Sequence, residues 1–393
     1  MKIDIRKQKI IGAVDIAQDE IITVSHQIHA NPELGYEEKF ASSLLADTLQ
    51  KYGFEIKRGY AGIPTAFCAR KGNSAGAHVA FLAEYDALPV VGHACGHNMI
   101  ATAALSAGIG LGSVVSELEG EVWVIGTPAE ETDGAKVVMV ERGAFKEVDA
   151  ALMIHAHDDN YTLTESLAMD AIEVEFFGKA SHAAAAPWEG KNALDAVLLT
   201  FANINALRQQ IRPDARIHGV ITHGGEAPNI IPAYTKARFY IRAKQRRYLN
   251  KLVEKFNACV LAAAIATGTR FEMHNYENSF DDMLNNLVIA ERVRDYSTHV
   301  LGSKPFKRAP EHFGSVDMGN VSHVVPGVHI LIDVAEGKPL SPHTTEFQAA
   351  VATPYADKAI LRAGKALALT GYDLLTDDQF LKAAKEEFAS NLK

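Results

Sequence analysis

Apolar residues recur at three- and four-residue spacing through the first fifty positions, most clearly at Phe40, Leu44, Leu45 and Leu49. That period predicts helix over residues 8–53, with Gly53 as its C-cap. Two short β-like runs follow at 65–69 and 79–83, and the second leads into Glu84-Tyr85-Asp86-Ala87-Leu88-Pro89. A buried strand that ends in acids and a proline puts those acids at the carboxyl edge of a sheet, where α/β folds build their sites. A helix near 98–112, a strand at 121–126, a helix near 134–142 and a strand near 149–155 continue the series. Strands alternating with helices predict a mostly parallel sheet flanked by helices.

The texture changes near residue 168. Residues 171–178 alternate apolar with polar, which predicts a half-exposed antiparallel strand. A helix near 190–210, strands near 216–224 and 234–243, a helix near 247–267 and a strand near 270–275 complete a β-α-β-β-α-β series. That order predicts a small ferredoxin-like α+β domain inserted into the first. From about 280 the helical α/β texture returns, giving a division into 1–168, 169–280 and 281–393.

Composition narrows the function classes. With 393 residues, 48% hydrophobic and 22% charged, the chain can bury at least one large core. The net charge of -9 makes a nucleic-acid partner unexpected, and the short patch Lys244-Gln245-Arg246-Arg247 reads as a solvated loop or helix start. Three cysteines are too few for a disulfide framework. The opening residues lack an apolar signal-peptide core, and the most apolar stretch, 99–111, reads as a buried helix too short to span a bilayer. A cytoplasmic location, with no membrane partner, is the resulting expectation.

The chemistry concentrates in three segments. They are His93-Ala94-Cys95-Gly96-His97-Asn98, Pro128-Ala129-Glu130-Glu131, and His155 within Met153-Ile154-His155-Ala156-His157. A thiolate, imidazoles and carboxylates are the S, N and O donors that zinc and similar divalent ions accept. Adjacent glutamates let one hold metal while its neighbour handles the proton of an attacking water. A lone cysteine or histidine of this kind is more often a structural thiol or a satisfied core imidazole. Cys95 and His97 flanking Gly96, with Glu131 in register, point to metal instead.

These segments resemble the co-catalytic metallopeptidase family M20, which contains the aminoacylases, carboxypeptidase G and the N-acyl-amino-acid amidohydrolases. The likeness runs over nearly the whole chain. It takes in Ile28-His29-Ala30-Asn31-Pro32-Glu33-Leu34-Gly35, Asp86-Ala87-Leu88-Pro89, Ala94-Cys95-Gly96-His97, Pro128-Ala129-Glu130-Glu131, Asn229-Ile230-Ile231-Pro232 and Ser341-Pro342-His343-Thr344. The Cys-Gly-His motif resembles subfamily D. Asn98 stands where many of its members carry Asp, and Val316, in Gly314-Ser315-Val316-Asp317-Met318, where many carry Glu. With Asn320-Val321-Ser322-His323 following, the chain looks closer to the branch with aminobenzoyl-glutamate hydrolases and β-alanyl-lysine-type dipeptidases.

Carried over position by position, the resemblance implies five metal ligands: Cys95, His97, Glu131, His155 and His343. It implies Glu130 as general base, Asp86 as an acid behind the site that orients a ligand, and Glu84 as a further acid. In the inserted domain it implies His182 as the oxyanion partner, with Asn229 and Arg242 as substrate contacts. His93 and His157 flank ligands and read as neighbours rather than ligands. Two divalent ions per chain are implied, zinc foremost, with manganese or cobalt as alternatives. The inserted domain is expected to serve as lid and as the surface of a homodimer or a dimer of dimers. The implied activity is hydrolysis of small amides: N-acyl amino acids, dipeptides or aminobenzoyl-glutamate-like conjugates. A thiol hydrolase using Cys95 and His97, and a metal-binding relative without turnover, are the competing readings.

Overall fold

The structure, a computed structural model, describes residues 3–308 and 314–392. In chain order its strands are β1 (Glu55–Arg58), β2 (Phe67–Asn73), β3 (His78–Ala83), β4 (Gly120–Gly126), β5 (Ala150–His157), β6 (Ala168–Phe177), β7 (Arg216–His223), β8 (Tyr234–Ala243), β9 (Arg270–Asn275) and β10 (Gly327–Asp333). Its helices are α1 (Ile5–Ile16), α2 (Gln18–Ala30), α3 (Lys39–Lys51), α4 (His97–Gly112), α5 (Ala135–Glu141), α6 (Ala193–Leu207), α7 (Arg246–Thr267), α8 (Leu287–Asp295), α9 (Met318–Ser322), α10 (Thr345–Ala350), α11 (Pro354–Thr376) and α12 (Asp378–Asn391). The described residues form two compact units, one from 3–165, 283–308 and 317–392, the other from 166–282 with 314–316.

The larger unit is a six-stranded mixed sheet in the order β1-β2-β4-β3-β5-β10, flanked by helices. β1, β2 and β4 pair antiparallel, whereas β4, β3, β5 and β10 pair parallel. The parallel half aligns the carboxyl ends of β3, β4 and β5, and the three chemical segments lie at or just beyond those ends.

Every residue of α4 is buried. Its Ala and Gly positions explain why: a Cβ on Gly108 would come within 2.5 Å of Val124, and one on Gly364 of α11 within 2.1 Å of Ser106. The stretch His97–Glu117 is long and apolar enough to cross a bilayer, with mean hydropathy 1.7, and so is longer than the run 99–111 suggested. Its 89% burial inside the unit makes it a core helix.

The continuous helix expected over 8–53 is instead three helices, with residues 31–38 non-helical between α2 and α3. Pro32 disfavours helical geometry at Asn31. Glu33 then caps the next helix, its carboxylate accepting from the Phe40 and Ala41 backbone N–H at 2.9 and 3.0 Å.

The smaller unit is an antiparallel sheet in the order β7-β8-β6-β9 carrying α6 and α7. This β-α-β-β-α-β path is ferredoxin-like. Its core includes Ile172, Val174, Phe176, Val197, Phe239, Leu252 and Phe256. β6 is not half-exposed as its alternation suggests; 168–174 are all buried. It is an inner strand, and its polar positions are neutralised. The Glu173 carboxylate meets Lys236 at 2.8 Å and Arg238 at 2.6 Å. The basic patch also does more than start a helix. Arg246, the first residue of α7, pairs with Asp170 at 2.8 Å and Asp281 at 2.6 Å.

Candidate metal centre

Cys95 and His97 owe their placement to Gly96. Its φ of +81° turns the chain into α4, and a Cβ there would lie 2.6 Å from the Ala156 Cβ. Only glycine fits that backbone and that space. His155 enters from β5 with its Nε2 3.5 Å from Cys95 Sγ and its Nδ1 2.7 Å from the Ala156 carbonyl. Glu130 and Glu131 follow a left-handed turn at Ala129, φ +57°. His343, φ +66°, is tied by its backbone N–H to the Ala94 carbonyl at 2.9 Å and places Nε2 3.2 Å from Glu131 Oε1.

Ligand atoms of Cys95, His97 and His155 lie within 4.8 Å of one another, as do those of Cys95, Glu131 and His343, and those of Glu84, His97 and Glu130. All five expected ligands therefore converge with Glu130 and Glu84. His93 and His157 join none of these groups. His93 stacks on His29 at 6.3 Å, and His157 bonds Asp158 at 2.7 Å.

Asp86 stands behind His97. Its Oδ1 lies 2.9 Å from His97 Nδ1, and its Oδ2 accepts the Glu131 backbone N–H at 2.9 Å. Burial pushes the Asp86 carboxyl up, yet the neighbouring His97 and the two hydrogen bonds bring it below the usual range. Burial opposes a charge on His97, but Asp86 and Cys95 raise it well above the ordinary imidazole value. Burial raises Glu131 too, and the His343 hydrogen bond with the His97 charge reverses this to a net depression. His343 is raised mainly by the same bond to Glu131. Burial drives His155 down to about 3, helped by the His97 charge, and lifts the Cys95 thiol. Glu130 is held well above the carboxylate range by burial and then by the charges of Glu84, Asp317 and Glu131.

Sequence reasoning missed the buried ion triad beside this cluster. Lys136 Nζ lies 2.5 Å from Glu84 Oε1 and 2.9 Å from Asp317 Oδ1, with side-chain exposures of 0%, 2% and 0%. The other Glu84 oxygen is 3.5 Å from His97 Nε2. A lone lysine in the apolar run Ala135–Glu141 was the available signal. His329 on β10 was also missed; it is 2% exposed and packs edge-on to His155 at 5.3 Å. Asn98, by contrast, faces packing, donating to Ser25 Oγ at 3.0 Å and the Val351 carbonyl at 3.1 Å.

A divalent cation fits this donor set. His97 Nε2 and Glu84 Oε2, 3.5 Å apart, are buried with no well-aligned hydrogen-bond partner among the described residues. Such atoms cost free energy unless something compensates them. One thiol, three imidazoles and clustered carboxylates are the compensation a borderline-soft ion provides.

The remaining expected residues lie in the smaller unit. His182 is exposed, and its Nδ1 accepts from the Ala184 and Ala185 backbone N–H at 3.3 and 3.2 Å. That fixes the proton on Nε2. Asn229 is exposed and its carbonyl accepts from Ala183 at 3.0 Å. Arg242 sits 3.5 Å from Ser315 Oγ, its Nε buried and unpartnered among the described residues, and burial lowers its pKa.

Residues 168–267 match the peptidase dimerisation domain of M20 proteins. The Xaa-Arg dipeptidase of Mus musculus is 36% identical over 410 residues, covering 100% of this chain and 94% of that protein. The chain belongs to the M20 peptidase family. A p-aminobenzoyl-glutamate hydrolase polypeptide of Escherichia coli is 31% identical over 308 residues, 73% of this chain and 64% of that protein. These relatives place this M20 chain beside the dipeptidase and aminobenzoyl-glutamate hydrolase branch. A dinuclear metal-binding M20 peptidase of Bacillus subtilis shares the fold, with TM-score 0.68 at 19% identity over 91% of this chain and 99% of that one. The M20 chain is thus an enzyme of metal-dependent amide hydrolysis.

Proposed function

We propose that this M20 chain is a cytoplasmic dipeptidase-type amidohydrolase that uses two divalent ions, zinc foremost, and Glu130 as general base. The observation that carries the reading is the convergence of Cys95, His97, His155, Glu131 and His343 on shared 4.8 Å groups with Glu130 adjoining. Two of those groups share Cys95, and together Cys95, His97, His155, Glu131 and His343 would hold the two ions. Bound there, the ions would polarise the scissile carbonyl and acidify a water.

The chain's own residues supply the rest. Glu130 takes the proton of the attacking water and returns it to the leaving amine. Asp86 holds His97 in one tautomer. His182, with its Nε2–H free to donate, is assigned the oxyanion. Arg242 is assigned a substrate carboxylate and Asn229 a second contact. The segment 169–280 is assigned the lid and the homodimer surface, a role its match to the dimerisation domain supports.

Among small amides, dipeptides with a C-terminal arginine come first, because the mouse and human proteins named Xaa-Arg dipeptidase are 36% and 34% identical across the whole chain. N-acyl amino acids and aminobenzoyl-glutamate-like conjugates complete the class. A thiol nucleophile is poorly supported, since burial raises the Cys95 thiol and its neighbours are the ligand set.

The test is metal content per chain together with turnover of a panel of dipeptides and acyl amino acids, for the parent and Glu130→Ala. Near two ions per chain, with Glu130→Ala retaining metal but losing ~10²–10⁴-fold in kcat, is expected. Turnover that survives both chelation and Glu130→Ala would sink the reading.

A further inference from the structure

We propose that residues 33–38 form a clamp that aims the glutamate pair, with Glu38 as its positioning residue. The proposal rests on the assignment of Glu130 and Glu131 above. The segment lies between α2 and α3, far from the metal-ligand motifs in sequence.

Three contacts carry the clamp. The Glu33 carbonyl accepts the Ala87 backbone N–H at 2.8 Å, one residue beyond Asp86. The Glu38 carboxylate accepts the Ala129 backbone N–H at 2.8 Å, across 91 residues of chain and one residue before Glu130. Between them Gly35 presses on the glutamate turn: a Cβ there would lie 2.2 Å from Thr132 Oγ1 and 3.0 Å from the Ala129 Cα. One short loop thus grips the chain just past β3 and just past β4, on the residues that flank Asp86 and the pair Glu130-Glu131.

The grip has a mechanical reason. Ala129 is left-handed at φ +57°. A residue with a Cβ is strained in that conformation and needs an outside hold. The start of α5 holds only the carbonyl side, which accepts the Gly134 backbone N–H at 2.9 Å, and leaves the Ala129 N–H to Glu38. Glu38, 0% exposed, holds the Ala129 N–H in place. The turn at Ala129 in turn decides where the glutamate side chains that follow it point. Glu38 touches no reacting atom; it acts through Ala129.

The experiment uses the full-length, metal-loaded chain with Glu38→Ala and Glu38→Gln. The readouts are kcat and KM on alanyl-arginine, metal content and melting temperature. Glu38→Ala should lose ~10²-fold in kcat, the penalty of a misplacement of about 1 Å, with KM nearly unchanged and metal retained. Glu38→Gln keeps an oxygen acceptor for Ala129 and should return kcat to within about threefold of the parent. An equal kcat loss in both variants, or a loss that vanishes when rates are referred to folded, metal-loaded protein, overturns the clamp. Glu130→Ala is measured alongside. Full activity there removes the base assignment alone, and the Ala–Gln contrast at Glu38 still judges the clamp.

Discussion

Replacing Lys136 by methionine should strongly destabilise the larger unit, and the triad geometry sets the scale. Lys136 Nζ contacts Glu84 at 2.5 Å and Asp317 at 2.9 Å, and none of the three side chains is more than 2% exposed. At an effective dielectric constant near 20, each contact is worth about 6 kcal/mol of attraction before desolvation, and desolvation of three ions cancels most of it. Removing only the cation is different, because it strands two buried carboxylates. Losses of ~3–5 kcal/mol are typical of that situation. Burial disfavours a charge on Lys136, yet Asp317 and Glu84 raise its pKa, so the ion form is the stable one. The assay is thermal unfolding of metal-stripped protein, which separates the triad from ion binding, with circular dichroism following the larger unit. A fall of roughly 6–20 °C is expected from 2–4 °C per kcal/mol. The triple variant Lys136→Met, Glu84→Gln, Asp317→Asn removes the stranded charges and should recover much of the loss. A fall below ~2 °C in the single variant, or no recovery in the triple, would refute a buried charge network.

Other outcomes follow from single contacts. Asp86→Asn removes the anion that holds His97 Nδ1 and should weaken metal binding ~10–100-fold in a chelator competition. Gly96→Ala places a Cβ 2.6 Å from Ala156 at φ +81°, and should lower both melting temperature and metal content; an unchanged melt would contradict the packing. Burial raises Glu38 from the ordinary carboxyl value to about 7. A carboxyl raised in the folded state contributes stability below its unfolded pKa and loses it as pH climbs through the folded one. Glu38→Gln does not titrate, so its melting temperature relative to the parent should rise between about pH 5 and pH 8.

Much of the site was legible because local chemistry and order survive in sequence. Cys95, His97, the Glu130-Glu131 pair, His155 and His343 are donor types in recognisable segments, and the resemblance ordered them. The β-α-β-β-α-β path over β6–β9 was legible for a similar reason, since strand and helix periods are local. The break at residues 31–38 was partly legible in Asn31-Pro32, but apolar spacing on both sides concealed it.

What the sequence by itself determined is the inventory: thiol, imidazole and carboxylate side chains of metal-binding type, two adjacent glutamates, and two kinds of sheet. What only the tertiary structure decided is who faces whom. Lys136 and Asp317 are 181 residues apart and meet because α5 and the segment before α9 are brought together. Glu38 reaches Ala129 across the carboxyl end of the sheet. Glu173 and Arg246, charged residues that the pattern placed on an open face and in solvent, are buried or half-buried because their partners arrive from other strands and loops. Burial of a charge depends on a distant neighbour's charge, and no local pattern encodes that.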